Sequence, residues 1–251
     1  MILSITSASV ITVPAFADAG SRVRHFFGTR RHAIGHGLEV GIPRRGIAGE
    51  ALSSWMLSVK QVHGTEALVL DRALVSTDRF VGGWDALVTD QPGIMVAVRT
   101  ADCVPVLIHD PKRHVVAAVH AGWRGAVAGI VSKTLTLLES RFGSCMEHVR
   151  ISIGPSAGRC CYEVDEPVLD QLCQRFPDWS KVVRTRGNGK AHLDLKSLVK
   201  EQAQALGVTP KSITTVNLCT ICHEDLFFSY RRERKVNGTM VSAIGLPMRR
   251  E

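Results

Sequence analysis

Short runs of apolar, largely β-branched residues punctuate the chain at Ala67 to Leu70, Ile94 to Val98, Val104 to His109, Val115 to Val119 and Val149 to Ile153. Each is bounded by Gly, Pro or Asp, the pattern of a strand rather than of a helix. The Asp110-Pro111 pair between two of the runs is a turn signal and predicts an antiparallel hairpin. Helical spacing appears in Val127, Val131, Thr134 and Leu138, which predicts a helix from about Gly125 to Phe142 stopped by Gly143. A second helix is expected over Glu166 to Arg175. A third starts at the cap Asp194, runs through Leu198, Val199 and Ala203 to Gly207, and leads into a strand at Ser212 to Leu218. Strands and helices mix without a regular βα alternation. The expected fold is therefore α+β, a single domain over residues 1–251 with mixed β-sheets packed against helices. Neither GxGxxG nor GxxxxGK[ST] occurs to argue for a doubly wound nucleotide fold. Only the Gly/Arg-rich stretch from Arg30 to Gly49 reads as a long loop.

Length and composition refine this picture. A chain of 251 residues buries enough surface to need no staple, and 45% hydrophobic with 22% charged residues is a globular balance. No run approaches the ~20 apolar residues of a membrane helix. The basic excess, 31 Lys and Arg against 23 Asp and Glu, favours anionic ligands such as phosphate but is scattered, without the stripe of a nucleic-acid binder. Seven irregularly spaced cysteines, two of them adjacent at Cys160 and Cys161, do not read as a secreted disulfide framework. A reducing cytoplasm fits them. The apolar stretch Met1 to Ala19 lacks a positive n-region and is broken by Ser4, Thr6, Ser7, Ser9, Thr12 and Pro14, so it is read as a first strand and turn rather than an export signal.

Reactive side chains concentrate in three phrases: Lys60-Gln61-Val62-His63-Gly64, Thr100-Ala101-Asp102-Cys103-Val104-Pro105 and His120-Ala121-Gly122-Trp123-Arg124-Gly125. In each, a ligand-capable group falls where a strand meets a turn, a place from which a rigid scaffold presents it to a cleft. Cys103 begins one strand of the expected hairpin and His120 ends the other, so antiparallel pairing brings them together. Nothing local forces His63 to join them. Two imidazoles and a thiolate suit zinc, and three protein ligands leave a fourth position open for water or substrate. Taken singly, a cysteine also serves as a small core hydrophobe and a histidine as a satisfied core or loop residue. Gly122 and Gly125, just before a helix, permit close backbone approach to an anion beside Arg124, and Arg30 in Phe27-Gly28-Thr29-Arg30 offers another fork of donors for phosphate or carboxylate. Solvated or structural arginines are the alternative.

Together the phrases KQVHG, RTADCVPVLI and AVHAGWRG resemble the signature of the laccase-domain family of YfiH-like, polyphenol-oxidase-like purine nucleoside phosphorylases. FFGTR around Phe27, DALVTD at Asp85, IGPSAGRCCYEV at Ile153, LDL at Leu193 and the C-terminal CT and FFSYRRER stretches extend the likeness from about Val13 to Leu246. The resemblance implies a metal held by His63, Cys103 and His120, with Zn2+ the first expectation and Cu2+ the alternative. It also implies phosphorolysis of adenosine, inosine, guanosine and methylthioadenosine, together with deamination of adenosine. The implied partners are purine nucleosides and phosphate, with no nucleic acid and no membrane. A monomer is expected, with a dimer as the alternative. Arg30 and Arg124 are the candidate substrate-binding residues, and His63, Cys103 and His120 the catalytic ones. The chain departs from the family's pattern at Arg31-His32-Ala33-Ile34, where Gly-Gly is usual, and between His36 and Ser53, where an Asn-Leu-Gly phrase is usual.

Other chemistries remain to be weighed. Copper-dependent polyphenol oxidation is one alternative that the family's name suggests, although multicopper oxidases pair histidines as His-x-His and none of the ten histidines does so. A cysteine hydrolase would use Cys103 as nucleophile, His120 as base and the neighbouring Asp102; the family resemblance implies amide hydrolysis in the editing of cell-wall precursor peptides as the corresponding alternative. Cys219-Thr220-Ile221-Cys222-His223 matches the attachment signature of c-type haem, yet no export signal or axial Met partner accompanies it. One CxxC alone is too little for a second metal site. Trp123, Phe227, Phe228 and Tyr230 are candidates for stacking on a base, with core packing the alternative. Asp85 and Asp102 are candidates for orienting a ligating imidazole or accepting a proton.

Overall fold

The computed structural model describes residues 4–6, 10–16, 23–32, 55–75 and 78–248. Most of the Gly/Arg-rich stretch, including the departure between His36 and Ser53, lies outside them. In chain order the strands are β1 (Ser4–Thr6), β2 (Val10–Thr12), β3 (Arg24–Gly28), β4 (Trp55–Leu57), β5 (Ala67–Leu70), β6 (Ala86–Thr89), β7 (Ile94–Thr100), β8 (Val104–Asp110) and β9 (Val115–Ala121). They continue with β10 (Arg150–Ile153), β11 (Glu163–Val164), β12 (Val183–Gly187), β13 (Lys190–Leu193), β14 (Ile213–Thr215) and β15 (Met240–Gly245). The α-helices are α1 (Trp123–Val127), α2 (Ile130–Phe142), α3 (Glu166–Arg175), α4 (Leu195–Ala205) and α5 (Tyr230–Glu233). This is the α+β fold with mixed sheets that the apolar pattern predicts.

Two six-stranded sheets carry the architecture, in the orders β1-β2-β3-β15-β7-β4 and β14-β10-β8-β9-β6-β5, with a small β11-β13-β12 sheet beside them. Side-chain alternation sorts the layers. Leu107, Val116, Ala118 and Leu87 of the second sheet meet Ile11, Phe27, Val96, Val98 and Ile244 of the first. The opposite face of the second sheet, with Val106, Ile108, Ala117 and Val119, packs on Ile130, Leu135, Leu138, Leu172, Leu198 and Val199 of the helices. The second sheet is thus apolar on both faces, which is why β8 and β9 read as continuous apolar runs and why every residue in both is buried. The β8-β9 hairpin forms as expected, with Pro105 opposite His120 and Asp110 opposite Val115.

Two expectations are corrected. The single helix over Gly125 to Phe142 is two helices, because Gly129 takes the left-handed conformation at φ 81° and α2 restarts at Ile130. The bend lets α1 lie on α3 and α4 while α2 lies along β9. The strand expected at Ser212 to Leu218 is only β14, because Pro210–Ser212 forms a 3-10 turn. After one further backbone bond, from Val216 N–H to the Ile153 carbonyl, the chain leaves the sheet. Asp194 caps α4 as predicted, its side chain accepting from the Ser197 N–H at 3.0 Å.

His109 on β8 is 1% exposed, and burial, followed by the charge of Arg150, pushes its pKa down to about 4. The unfolded chain takes up a proton near pH 6.5 and the folded chain does not, so the stability this group contributes is full above pH 6.5 and lost as pH falls toward about 4. The loss amounts to up to about 3 kcal/mol. Urea-unfolding midpoints measured between pH 7 and 4 should fall less steeply in His109→Gln than in the parent chain, and parallel slopes would contradict this origin.

Candidate metal centre and its cleft

The strand ends deliver two of the three expected side chains. Cys103 immediately precedes β8 and His120 is the next-to-last residue of β9, so the register that sets Val104 opposite Ala121 draws them together. His63 arrives from the loop between β4 and β5. Its Nε2 lies 3.7 Å from Cys103 Sγ and its ring stands edge-on to that of His120 at 4.8 Å between centroids. One donor atom from each of the three lies within 4.8 Å of the others.

What brings His63 there is a carboxylate. Asp85, fully buried at the entrance to β6, accepts hydrogen bonds from the backbone N–H groups of Val62, His63 and Gly64 at 3.2, 2.9 and 2.6 Å. The same group pairs with His120 Nδ1 at 2.7 Å. Gln61 fastens the loop from its other side by exchanging two 2.8 Å hydrogen bonds with the backbone of Arg99. His63 is held in the left-handed region at φ 59°, a conformation costly for a residue with a Cβ, and the three amide bonds to Asp85 offset that cost.

Glycines make the approach possible, in a way that revises their expected use. A Cβ on Gly122 would come within 2.6 Å of His63 Cδ2 and 3.2 Å of Cys103 Sγ, and one on Gly125 within 2.7 Å of the Gly64 carbonyl oxygen. These glycines admit the His63-Gly64 loop rather than a phosphate. Helix α1, which Gly122 precedes and which contains Gly125, has only five residues.

The titratable groups of the centre shift one another. Burial pushes the Asp85 carboxyl up, but its bonds with His120 and the Gly64 and Val62 amides outweigh this and hold it below the usual carboxylate range. Burial depresses His120, yet Asp85 and Cys103 more than reverse it, to about 9. Burial raises the Cys103 thiol, but contact with His120 and His63 brings it down to about 7. A thiolate is therefore available at neutral pH. With Nδ1 of His120 engaged by Asp85, its Nε2 is the nitrogen left for a ligand, the tautomer control typical of metal-binding imidazoles. Two imidazole nitrogens and one thiolate match the donor set of a three-ligand zinc site. His120 is buried, Cys103 half-buried and His63 exposed, so the set opens on one side.

That side faces a cleft of about 640 Å³ lined by Gln61, Arg99, Trp123, Arg124, Tyr162, Tyr230, Arg231 and Arg234 among others. Arg124 stands 4.4 Å over the Trp123 ring and Arg231 5.1 Å over Tyr162. Burial, then the charge of Cys103, pushes the Tyr162 hydroxyl up to about 12. Arg124, Trp123 and Tyr230 thus reach the cleft. Arg30 does not line it: its guanidinium donates to the Glu224 carbonyl and lies 4.9 Å over Phe228. Phe227 is fully buried in the core and Phe228 packs against it.

Asp102 also departs from its expected role. It accepts from Thr220 Oγ1, Ser229 Oγ and the Arg231 N–H at 2.6, 3.0 and 2.7 Å, so it braces the loop behind the cleft. The carboxylate paired with His120 is Asp85. Tyr162, Arg231 and Gln61 lie in stretches that carry the family resemblance, but nothing in their residue types alone assigned them to a cleft.

Comparison with known proteins follows this geometry. Residues 44–247 match the family model described as multi-copper polyphenol oxidoreductase laccase. The chain is 35% identical over 228 residues to the purine nucleoside phosphorylase YlmD of Geobacillus stearothermophilus, covering 85% of this chain and 83% of that one. It is 34% identical over 179 residues to the adenosine deaminase RL5 of an unknown prokaryotic organism, covering 69% and 68%. The crystal structure of the Bacillus licheniformis hypothetical protein YfiH superposes with a TM-score of 0.82 at 28% identity, over 97% of this chain and 98% of the other. No helix among the described residues is long and apolar enough to cross a membrane.

If Asp85 sets the ligand geometry, Asp85→Asn should weaken Co2+ binding at this centre about 10- to 100-fold, read from the component of the sulfur-to-cobalt absorption that disappears in Cys103→Ser. Unchanged affinity would mean that His63 and His120 are held in place by other contacts.

Proposed function

Because the chain belongs to the family described as multi-copper polyphenol oxidoreductase laccase, we propose that it is a zinc-dependent purine nucleoside enzyme, a phosphorylase that also deaminates adenosine. Its substrates under this reading are adenosine, inosine, guanosine and methylthioadenosine. The observation that carries it is the cluster of His63, Cys103 and His120 opening into a cleft with aromatic faces and arginine forks. The relatives named purine nucleoside phosphorylase and adenosine deaminase support the substrate class.

Held by His63, Cys103 and His120, zinc would supply Lewis-acid polarisation and a means of acidifying water. The chain's own residues do the rest. Asp85 keeps His120 in one tautomer and fixes the loop of His63. Trp123 and Tyr230 offer faces to a purine. Arg124, stacked on Trp123, and Arg231, stacked on Tyr162, would hold phosphate. In phosphorolysis a phosphate oxygen bonds to the anomeric carbon as the bond from that carbon to the base nitrogen breaks, and the base leaves with its electron pair and takes up a proton. Arginines that neutralise phosphate and orient one oxygen supply the positioning this step needs. Arg30, turned toward the Glu224 to Phe228 loop, supports that loop instead.

Copper is the alternative ion, as a single centre, since two imidazoles and a thiolate also suit it. No methionine lines the cleft among the described residues to serve as a weak axial ligand. A cysteine-hydrolase reading keeps one favourable observation: the Cys103 thiol near pKa 7 beside an imidazole paired with Asp85. Chelation separates the two, since a thiol hydrolase survives it and dies on alkylation.

Purified protein given adenosine and phosphate is expected to yield adenine with ribose 1-phosphate, and inosine, in a chelator-sensitive way. His63→Ala, Cys103→Ala and His120→Ala should each lose at least about 100-fold. Arg124→Ala should raise the KM for phosphate about 10- to 100-fold, the loss of a charge-assisted bond, with a smaller effect on nucleoside KM. No product from metal-loaded enzyme would redirect attention to amide hydrolysis or oxidation, and unchanged phosphate dependence in Arg124→Ala would remove that residue from the account.

A further inference from the structure

Away from the cleft centre the fold gathers a second set of sulfurs. Cys160 and Cys161 sit in the turn before β11, and Cys219 and Cys222 in the loop after β14, about sixty residues further along the chain. The Cys161 and Cys222 sulfurs are 3.3 Å apart, those of Cys160 and Cys222 3.6 Å, and all four lie within 4.8 Å of one another. None is in a disulfide. The backbone builds this convergence: Ser156 bridges to Cys219, Thr220 N–H donates to the Ser156 carbonyl at 3.0 Å, and Gly158 N–H donates to Cys219 Sγ at 3.2 Å.

We propose that Cys160, Cys161, Cys219 and Cys222 form a closed tetrathiolate site for a single zinc ion, distinct from the His63, Cys103 and His120 centre. Zinc holds four sulfurs at about 2.3 Å in a tetrahedron, which sets them about 3.8 Å apart, and the spacings here bracket that edge. A cubane cluster spaces its cysteines more widely, so one ion is the better occupant. A disulfide would engage two sulfurs and give no reason for four to converge. On binding, each thiol gives up its proton to solvent, and four thiolates around one dication leave no open position, the mark of a structural rather than a reactive site. Cys160 and Cys222 are exposed, which gives the ion a way in.

The site has a task in the fold. Ala157 N–H donates to the Asp102 carbonyl at 2.9 Å and Thr220 Oγ1 to its carboxylate at 2.6 Å, so the two segments the ion would clamp are those that brace the turn carrying Cys103. Asp102 holds the left-handed region at φ 96°, and such a turn depends on rigid neighbours. Tyr162, next to Cys161, faces the cleft. The clamp therefore ties one wall of the cleft to its floor.

The inference stands apart from the proposed activity, and its test reads metal rather than turnover. Zinc is measured by elemental analysis against protein concentration, after purification without added metal or chelator. The variant His63→Ala/Cys103→Ala/His120→Ala should retain one zinc per chain, and adding Cys219→Ser/Cys222→Ser to that variant should remove it. If the cysteine variant does not fold, the triple variant reconstituted with Co2+ supplies the second measurement: a four-thiolate site shows intense sulfur-to-cobalt absorption although Cys103 is gone. A triple variant with neither zinc nor that absorption overturns the proposal, as does a disulfide among these four cysteines in peptides alkylated without reduction.

Discussion

The Asp85 carboxylate is the interaction on which the site depends. A fully buried carboxylate must be satisfied or it would not stay charged, and Asp85 meets that demand with three backbone amides and one imidazole. Each partner is a piece of the centre. The amides belong to the loop of His63 and the imidazole to His120, so one charge fixes two of the three expected ligands by the need to be hydrogen-bonded. Removing it would leave a buried imidazole without its partner and a left-handed His63 without its amide bonds. The strand that brings Asp85 there, β6, is itself locked between β5 and β9 in the doubly covered sheet. Core packing thus determines where the carboxylate sits, and the carboxylate determines where the ligands meet.

A second buried carboxylate divides the labour. Asp102 immediately precedes Cys103, yet its oxygens point to Thr220, Ser229 and the Arg231 amide, away from the histidines. It anchors the segment that presents Tyr230 and Arg231 to the cleft. One carboxylate therefore sets the ligands and the other sets the opposite wall, and Cys103 lies between the two networks. Arginine stacking continues the same logic outward. Arg124 over Trp123 and Arg231 over Tyr162 are held by ring stacking, so positive charge faces the cleft.

The fold was legible wherever a strand was buried on both faces or a helix was cleanly capped. The runs at β5, β7, β8, β9 and β10, the helix α3 and the Asp194 cap of α4 are all visible as patterns of side-chain type. The break at Gly129 was not, because the apolar spacing passes through it unchanged and only the backbone angle marks the end of α1. In the site, topology predicted that Cys103 and His120 meet, whereas the arrival of His63 depends on a hydrogen-bond network whose acceptor lies 22 residues away. Long-range satisfaction of a buried charge leaves no periodic trace. Arg30 illustrates the converse: an arginine beside a strand end looks like a ligand fork, yet a nearby carbonyl and a phenylalanine ring supply partners that spacing cannot reveal.

The cysteines show how one residue type serves opposite ends when geometry divides it. Cys103 stands between two imidazoles and a cleft, with an open side and a thiol brought down to about 7. A second thiol near it would invite a disulfide and consume the thiolate. The other cysteines are kept elsewhere: four converge behind the Asp102 turn, and Cys145 and Cys173 are dispersed on the surface. An open three-donor set suits an ion that must meet substrate, and a closed four-sulfur set suits one that must not. The odd count that read against a disulfide framework divides in the fold into one cysteine at the cleft, four converging and two dispersed. The adjacent pair Cys160-Cys161, which spacing alone left unexplained, has its partners only because Ser156 and Cys219 lie side by side in the fold.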